Sequence, residues 1–412
     1  MNPQRAGNQP GPSGVYSVMV DLVSAGRLSL AFVLGAATMW LAHTGAPEAQ
    51  AGRALGVDAF GKALQTVLER HVDPIEPSRA LEESLKRIVS GLDRYSHFLT
   101  AQERQLLRQR SRGGLTGMVV EFHRASPGAR KPAWLEVAAV LPGSPAEKIG
   151  LAAGDTILKV RGQEIAFMVS QAEVEVLLAG GDGESVDLVV QRRRDPAPIA
   201  LTLVLSGQQR QVVEGALVEQ GGQKFAHVRI RAFRAGVAET VRSALKELRR
   251  SAGGAELAGI VLDVRGNPGG DVTEAVLLAD TFVGDGVLVR TRGRGGQILR
   301  EERATQATTD EATPLVVLQD ARSASASELL AIALQDHGRA KVVGERSYGK
   351  GTVQDVIGLD DGSVLTLTIA RYFSPKDRLI DGVGVEPDVH LADLKGDPVQ
   401  AAISTLTAGQ VR

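Results

Sequence analysis

Three serines alternate with alanine in ARSASASELLAIALQDHGRA: Ser323, Ser325 and Ser327. Their surroundings suit a nucleophile. The apolar run Pro314 to Gln319 has the texture of a buried strand, and Leu329, Leu330, Ile332 and Leu334 follow at helical spacing, so the serines fall at a strand-to-helix turn. N–H groups at a helix start lack internal partners and the helix dipole is positive there, which stabilises negative charge developing on a nearby oxygen. Ser325-Ala326-Ser327-Glu328 also fits the S-x-x-E capping box, and the two roles can coexist.

A serine hydroxyl needs a base. His337 is nearest in sequence but lies 12 residues beyond Ser325 on the same helix, roughly 18 Å along the axis at 1.5 Å per residue. His227 and His390 sit in strand-like runs and read as structural. Lysine is the other known partner. Lys350 stands between glycines in Ser347-Tyr348-Gly349-Lys350-Gly351, in a chain with 36 arginines and only 11 lysines. A guanidinium stays protonated, whereas an amine buried in an apolar site can be neutral and act as a base. Gln354, four residues on, could hydrogen-bond that amine. An oxyanion site needs close backbone N–H groups, and the glycine-rich loop closing LDVRGNPGG (Leu262 to Gly270) offers them before a helix near Val272. That loop alone fits a phosphate site or a plain turn equally well.

These residues must be positioned by a chain of 412 residues, enough for two or three domains, with 43% hydrophobic content and a formal charge of −1. Neither sign dominates, so composition gives no reason to expect nucleic acid or an anionic membrane as partner. The absence of cysteine excludes disulfides and thiolate metal sites. From Leu28 to Ala42 runs an uncharged, mostly apolar stretch after Arg27, followed by the small-x-small triplet Ala49-Gln50-Ala51. It reads as a signal peptide, with an uncleaved anchor as the alternative.

Residues 52–112 have helical periodicity, with Phe60, Leu64 and Leu68 on one stripe and Leu81, Leu85, Ile88 and Leu92 on another, interrupted at Pro74 and Pro77. The polar run Arg104 to Arg112 closes this region. Residues 113–206 carry short β-like runs and one capped helix opening at Ser170, the proportions of a small peptide-binding module. A polar linker, Ser206 to Gln223, leads into alternating strands and helices in residues 207–412, which predicts an α/β domain with a largely parallel sheet. A β-hairpin is expected around Asp361-Gly362.

Three segments in order, LDVRGNPGG, SASASELLAIALQD and SYGKGTVQD, resemble the C-terminal processing proteases, the tail-specific S41-type serine peptidases that carry a PDZ domain. The resemblance runs from about Val72 to Asp388. It implies an α/β protease core with a mixed sheet, an inserted PDZ domain (113–206) and an N-terminal helical unit. It further implies Ser325 as nucleophile, Lys350 as general base, Gln354 as the residue steadying that lysine, and Ala326 with Gly269 or Gly270 as oxyanion donors. Leu115, Thr116, Gly117 and Met118 match the carboxylate-binding loop of the PDZ domain, before a strand Val119 to Phe122 that would pair with an extended tail. The segment LPGSPAEKIGLAAGD supports that assignment, and Asp388 closes a G-x-x-P-D match as a structural residue.

Two departures stand out. LDRYSHFL (Leu92 to Leu99) replaces the pattern L-D-P-H-S-x-[YF]-L, and Gln319-Asp320 replaces V-N before the nucleophile. The implied activity is cleavage of exported polypeptides with accessible C-terminal tails through an acyl-enzyme, without metal or organic cofactor. A catalytically silent PDZ scaffold or adaptor is the alternative. The resemblance leaves open an activating adaptor, a membrane tether and a homo-oligomer, and gives no role to nucleic acid. Export to the periplasm follows, with or without retention at the inner membrane. N-terminal sequencing of the mature protein is expected to find Gly52 first, and an intact N-terminus would instead identify an anchor.

Overall fold

The computed structural model describes residues 56–110, 116–124, 132–140, 143–193, 195–206, 212–253, 256–305, 310–393 and 396–408. The apolar run 28–42 and the triplet at 49–51 lie outside them, as does Leu115. Among the described residues no helix is long and apolar enough to cross a membrane. The chain divides into two compact units at Pro74. In the first, α1 (Val57–Arg70) is an amphipathic helix with none of its residues buried.

The second unit is built on a six-stranded sheet in the order β17 (Val389–His390), β14 (Lys341–Gly344), β13 (Leu315–Gln319), β10 (Gly259–Asp263), β9 (Gln223–Ile230) and β8 (Val213–Gln220). All neighbours are parallel except β8 on β9. Both β10 and β13 are continuous apolar runs buried at every position, as a strand covered on both faces requires. One face is covered by α6 (Val237–Ser251), α7 (Val272–Asp280) and α8 (Ala326–Asp336), whose Val241, Leu245, Leu278 and Leu330 share a core with Val228, Leu262 and Val317. The other face meets α9 (Pro398–Ala408) through Ala402 and Ile403 against Val261, Val316 and Leu318. The loops at the carboxyl ends of β10 and β13 therefore open side by side, where parallel sheets hold their sites.

The segment read as a polar linker, Ser206 to Gln223, contains β8. Its residues are half-exposed along an edge, so no apolar run announces it; pairing with β9 along its whole length makes it a strand.

A second sheet centres on β16 (Val364–Phe373), which pairs with β1 (His97–Leu99), β11 (Val287–Arg292) and, across the expected hairpin, β15 (Thr352–Gly358); β12 (Ile298–Arg303) pairs with β11. A third has the order β2 (Met118–His123), β3 (Trp134–Val140), β4 (Thr156–Val160), β6 (Ser185–Arg192), β7 (Asp195–Val204). It closes on α5 (Gln171–Leu178) over a core of Val137, Ile157, Val174 and Leu188.

Ahead of these sheets, α2 (Pro77–Ser90) begins at Pro77, which serves as a first-turn residue and not as a breaker. The polar run from Arg104 lies in a further helix, α3 (Ala101–Arg110), and its few apolar residues, Leu106 and Leu107, pack with Leu99 on Ala172 and Val176 of α5. Lys86 joins these elements, its Nζ 2.5 Å from Glu103 Oε1 and 3.2 Å from Glu173 Oε1.

Candidate active site

The three serines have different fates. Ser323 is fully buried and donates to the Val264 carbonyl at 2.8 Å; Ser327 is fully buried and donates to the Asn267 carbonyl at 3.1 Å. Both hydroxyls are spent on bracing the β10 loop. Ser325 is half-buried and heads α8 with φ +56° and ψ −117°, a backbone state unusual for a residue with a side chain. Strain of this kind, at the turn between a strand and a helix, persists only where the surroundings enforce it.

What holds that turn is Glu328. Its carboxylate is fully buried and accepts four hydrogen bonds: from Ser347 Oγ at 2.5 Å and Gly349 N–H at 2.7 Å on one oxygen, from Ser325 N–H at 2.7 Å and Lys350 N–H at 2.8 Å on the other. The capping-box reading thus captured one of four bonds. Burial pushes the Glu328 carboxyl above its ordinary range, against the Ser347 hydroxyl and the three N–H donors, which favour the charged form. Ser347 Oγ in turn accepts from Val385 N–H at 2.7 Å, fixing the lysine loop to the segment after β16.

Lys350 is half-buried, and its Nζ lies over the ring of Tyr95, 5.1 Å from the centroid. No hydrogen bond joins it to Ser325 Oγ among the described residues. Gln354 stands on β15 beside a bulge; its amide nitrogen donates to Thr352 Oγ1 at 2.7 Å and weakly to Thr368 Oγ1, so it does not bond the lysine here.

The loop 263–270 abuts the serine. Gly269 has φ +96°, and a Cβ there would lie 2.6 Å from the Ala324 carbonyl oxygen and 2.7 Å from Ser325 Cβ; Gly270 has φ +138° and would strike the Phe233 carbonyl. Only glycine permits both the conformation and the approach. Asn267, fully buried, accepts from Gly269 N–H at 2.8 Å and donates to the Ile230 carbonyl at 3.0 Å. The Gly269 N–H is therefore engaged, whereas those of Gly270 and Ala326 have no partner among the described residues. Asp263 anchors the loop: Arg265 grips it with two side-chain bonds, of 2.9 and 2.6 Å, and His227 Nε2 lies 3.1 Å away. Burial alone would raise its pKa, yet Arg265, His227 and Arg229 hold the carboxyl far below the usual range. At the departure from V-N, Asp320 accepts from Gly266 N–H at 2.8 Å and Gln319 donates to the Glu345 and Val385 carbonyls.

His337 and His390 are engaged away from the serine. His337 caps α8 and bonds the Val287 carbonyl at 2.7 Å; His390 lies 3.3 Å from Glu386. Asp388 accepts from Val342 N–H and Gln335, tying β14 to α8. Sequence reasoning missed Asn267 and the span of Glu328; the signal was present in an asparagine and a glutamate inside the motifs quoted, but the Ile230 carbonyl and the Ser347 to Lys350 donors they also bond are distant in sequence.

In the third sheet, Thr116, Gly117 and Met118 lead into β2, and Thr116 Oγ1 accepts weakly from Met118 N–H. Among the described residues the outer edge of β2 pairs with no strand, but it is bonded: Gln171 of α5 accepts from Phe122 N–H at 3.1 Å.

The description Peptidase family S41 matches residues 224–391, and PDZ domain matches residues 136–192. A carboxy-terminal-processing protease of Bartonella bacilliformis is 30% identical over 332 residues, 80% of this chain and 74% of that protein. A carboxyl-terminal-processing protease of Picosynechococcus is 32% identical over 72% of this chain and 69% of its own. Among solved structures, a photosystem II D1 C-terminal processing protease superposes with a TM-score of 0.66 at 31% identity, over 84% of this chain and 91% of that one.

Glu328→Gln turns an NH2 toward N–H donors and leaves buried groups unpaired. Leaving a buried donor unsatisfied costs roughly 1–3 kcal/mol, so a fall in thermal midpoint together with a loss of turnover is expected. A variant with wild-type melting and activity would show that the carboxylate does not organise the site.

Proposed function

Because the chain belongs to the peptidase S41 family of carboxy-terminal-processing proteases, we propose that it cleaves exported polypeptides near their C-termini with Ser325 as nucleophile and Lys350 as general base. The observation that carries this reading is Glu328, whose one carboxylate bonds the N–H groups of both residues. The occupied hydroxyls of Ser323 and Ser327 support the choice of serine.

In the proposed reaction, neutral Lys350 takes the proton of Ser325 as its oxygen attacks the scissile carbonyl. Ala326 N–H and Gly270 N–H receive the oxyanion, each a main-chain donor not otherwise engaged among the described residues. Gly269 then serves by its small size and not as donor, since its N–H is held by Asn267. The lysine returns its proton to the leaving amine, and water, deprotonated by the same lysine, hydrolyses the acyl-enzyme. Gln354 steadies Lys350 through its carbonyl oxygen, its nitrogen being anchored on Thr352. Forming the Ser325–Lys350 hydrogen bond requires the lysine side chain to swing from Tyr95.

The PDZ domain would present the substrate. A tail carboxylate binds at the loop containing Thr116, Gly117 and Met118, with Leu115 completing it, and the last residues extend along β2. A periplasmic location, reached through the segment 28–42, belongs to the same proposal, as do an activating adaptor, a tether and self-association.

Ser325→Ala and Lys350→Ala are each expected to abolish cleavage of a disordered polypeptide, read by mass spectrometry of products, with unchanged circular dichroism. Full turnover by Lys350→Ala would exclude the dyad, and a folded wild-type protein that binds tails without cleaving them would make the chain a scaffold. Amidating the substrate's C-terminus removes charge-assisted bonds of about 1.5–3 kcal/mol. It is expected to lower kcat/KM roughly 10- to 100-fold, through KM; equal KM values for both substrates would count against tail reading.

A further inference from the structure

The two residues in which LDRYSHFL departs from its family pattern, Arg94 and Tyr95, are the two that touch the lysine loop. Arg94 donates to Tyr348 Oη at 3.0 Å, and its guanidinium lies 5.5 Å from the Tyr348 ring and 5.6 Å from that of Tyr95. Lys350 Nζ lies 5.1 Å from the Tyr95 ring centroid, within the range of a cation–π contact.

The turn carrying Tyr95 is firmly held. Asp93 accepts from the N–H groups of Tyr95 and Ser96, both at 2.8 Å, and from Thr368 Oγ1 at 3.1 Å, while Ser96 Oγ accepts from Thr368 N–H at 3.0 Å. These bonds tie the main chain of the turn to β16 and so set where the ring stands beside the lysine. Tyr95 Oη is buried and has no hydrogen-bond partner among the described residues, so the hydroxyl does not account for a tyrosine here. The aromatic face does.

We propose that Tyr95 is a positioning residue that parks Lys350 in its ammonium form, away from Ser325, until substrate engagement. This rests on the dyad reading above. The face of an aromatic ring attracts an ammonium and has no such affinity for a neutral amine, so the contact opposes both the position and the protonation state that proton abstraction needs. Other charged or titratable groups around the lysine are Glu328 on α8, Arg94 and Asp93 on the cap turn, Tyr348 on its own loop, Glu121 on β2 and Asp381 after β16. Of these, Glu328 bonds the lysine's main chain, Arg94 and Glu121 meet at Tyr348, and Arg371 engages Asp381.

The test is the pH dependence of kcat/KM on a disordered polypeptide with a free C-terminus. Tyr95→Leu and Tyr95→Met keep an apolar cover over the lysine but remove the π face; Tyr95→Phe keeps the face and removes the orphan hydroxyl. Losing a contact that favours the protonated amine lets the base form at lower pH. The acid-side limb is therefore expected to move down by about 0.4 to 1.5 pH units in Leu and Met, with about 2- to 30-fold higher kcat/KM below the limb. The Phe variant should retain the wild-type limb. Lys350→Ala separates the two readings: if it stays active, the dyad itself is wrong. If it is inactive yet Leu and Met leave the limb in place, or lower activity at every pH while melting normally, the parking role is overturned.

Discussion

One buried carboxylate, that of Glu328, bonds the backbone of the proposed nucleophile on one side and of the proposed base on the other. Its donors come from two segments about 20 residues apart in sequence, the head of α8 and the loop before β15, which a main-chain bond from Tyr348 N–H to the Ser323 carbonyl, 3.0 Å, also holds together. An uncompensated charge in such a place would be costly, so the four donors are as necessary to the glutamate as it is to them. Of the four bonds, three hold main-chain N–H groups and one the Ser347 hydroxyl. None of them holds the lysine side chain, which lies over the Tyr95 ring.

The same bracing of main chain by side-chain oxygens recurs around the site. The β10 loop is immobilised by Asp263, Asn267 and Asp320, each accepting from N–H groups that a glycine-rich loop would otherwise leave unpaired. The parallel sheet beneath supplies the platform, since β10 and β13 end together in that loop and in the serine turn. The cap elements α2, α3 and β1 reach the site through β16 and reach the peptide-binding module through Lys86 and Leu107. A change in the module is therefore mechanically close to the loop that carries Lys350.

Much of this was legible in the sequence because the informative residues are local. Buried strands announce themselves as unbroken apolar runs, and the serine, lysine and glycine motifs each occupy one short segment. What was not legible is relational. β8 has no apolar signature and exists because β9 offers it an edge. Pro77 reads as a breaker until the helix is seen to start on it. Glu328 reads as a cap until the Ser347 to Lys350 loop arrives from across the fold, and choosing between Gly269 and Gly270 required knowing where the Asn267 side chain points.

The bond from Phe122 N–H to Gln171 has a bearing on how much of a tail is read. An incoming strand that enters beside Met118 can pair along β2 only until it meets the position already occupied by that glutamine, and must then leave the sheet. In the proposed tail-binding mode, contact along β2 would then be confined to the last few residues of the guest, leaving everything upstream free to vary in composition. On that proposal the side chain of Gln171 would act as a ruler for chain ends, indifferent to the identity of the protein to which the end belongs.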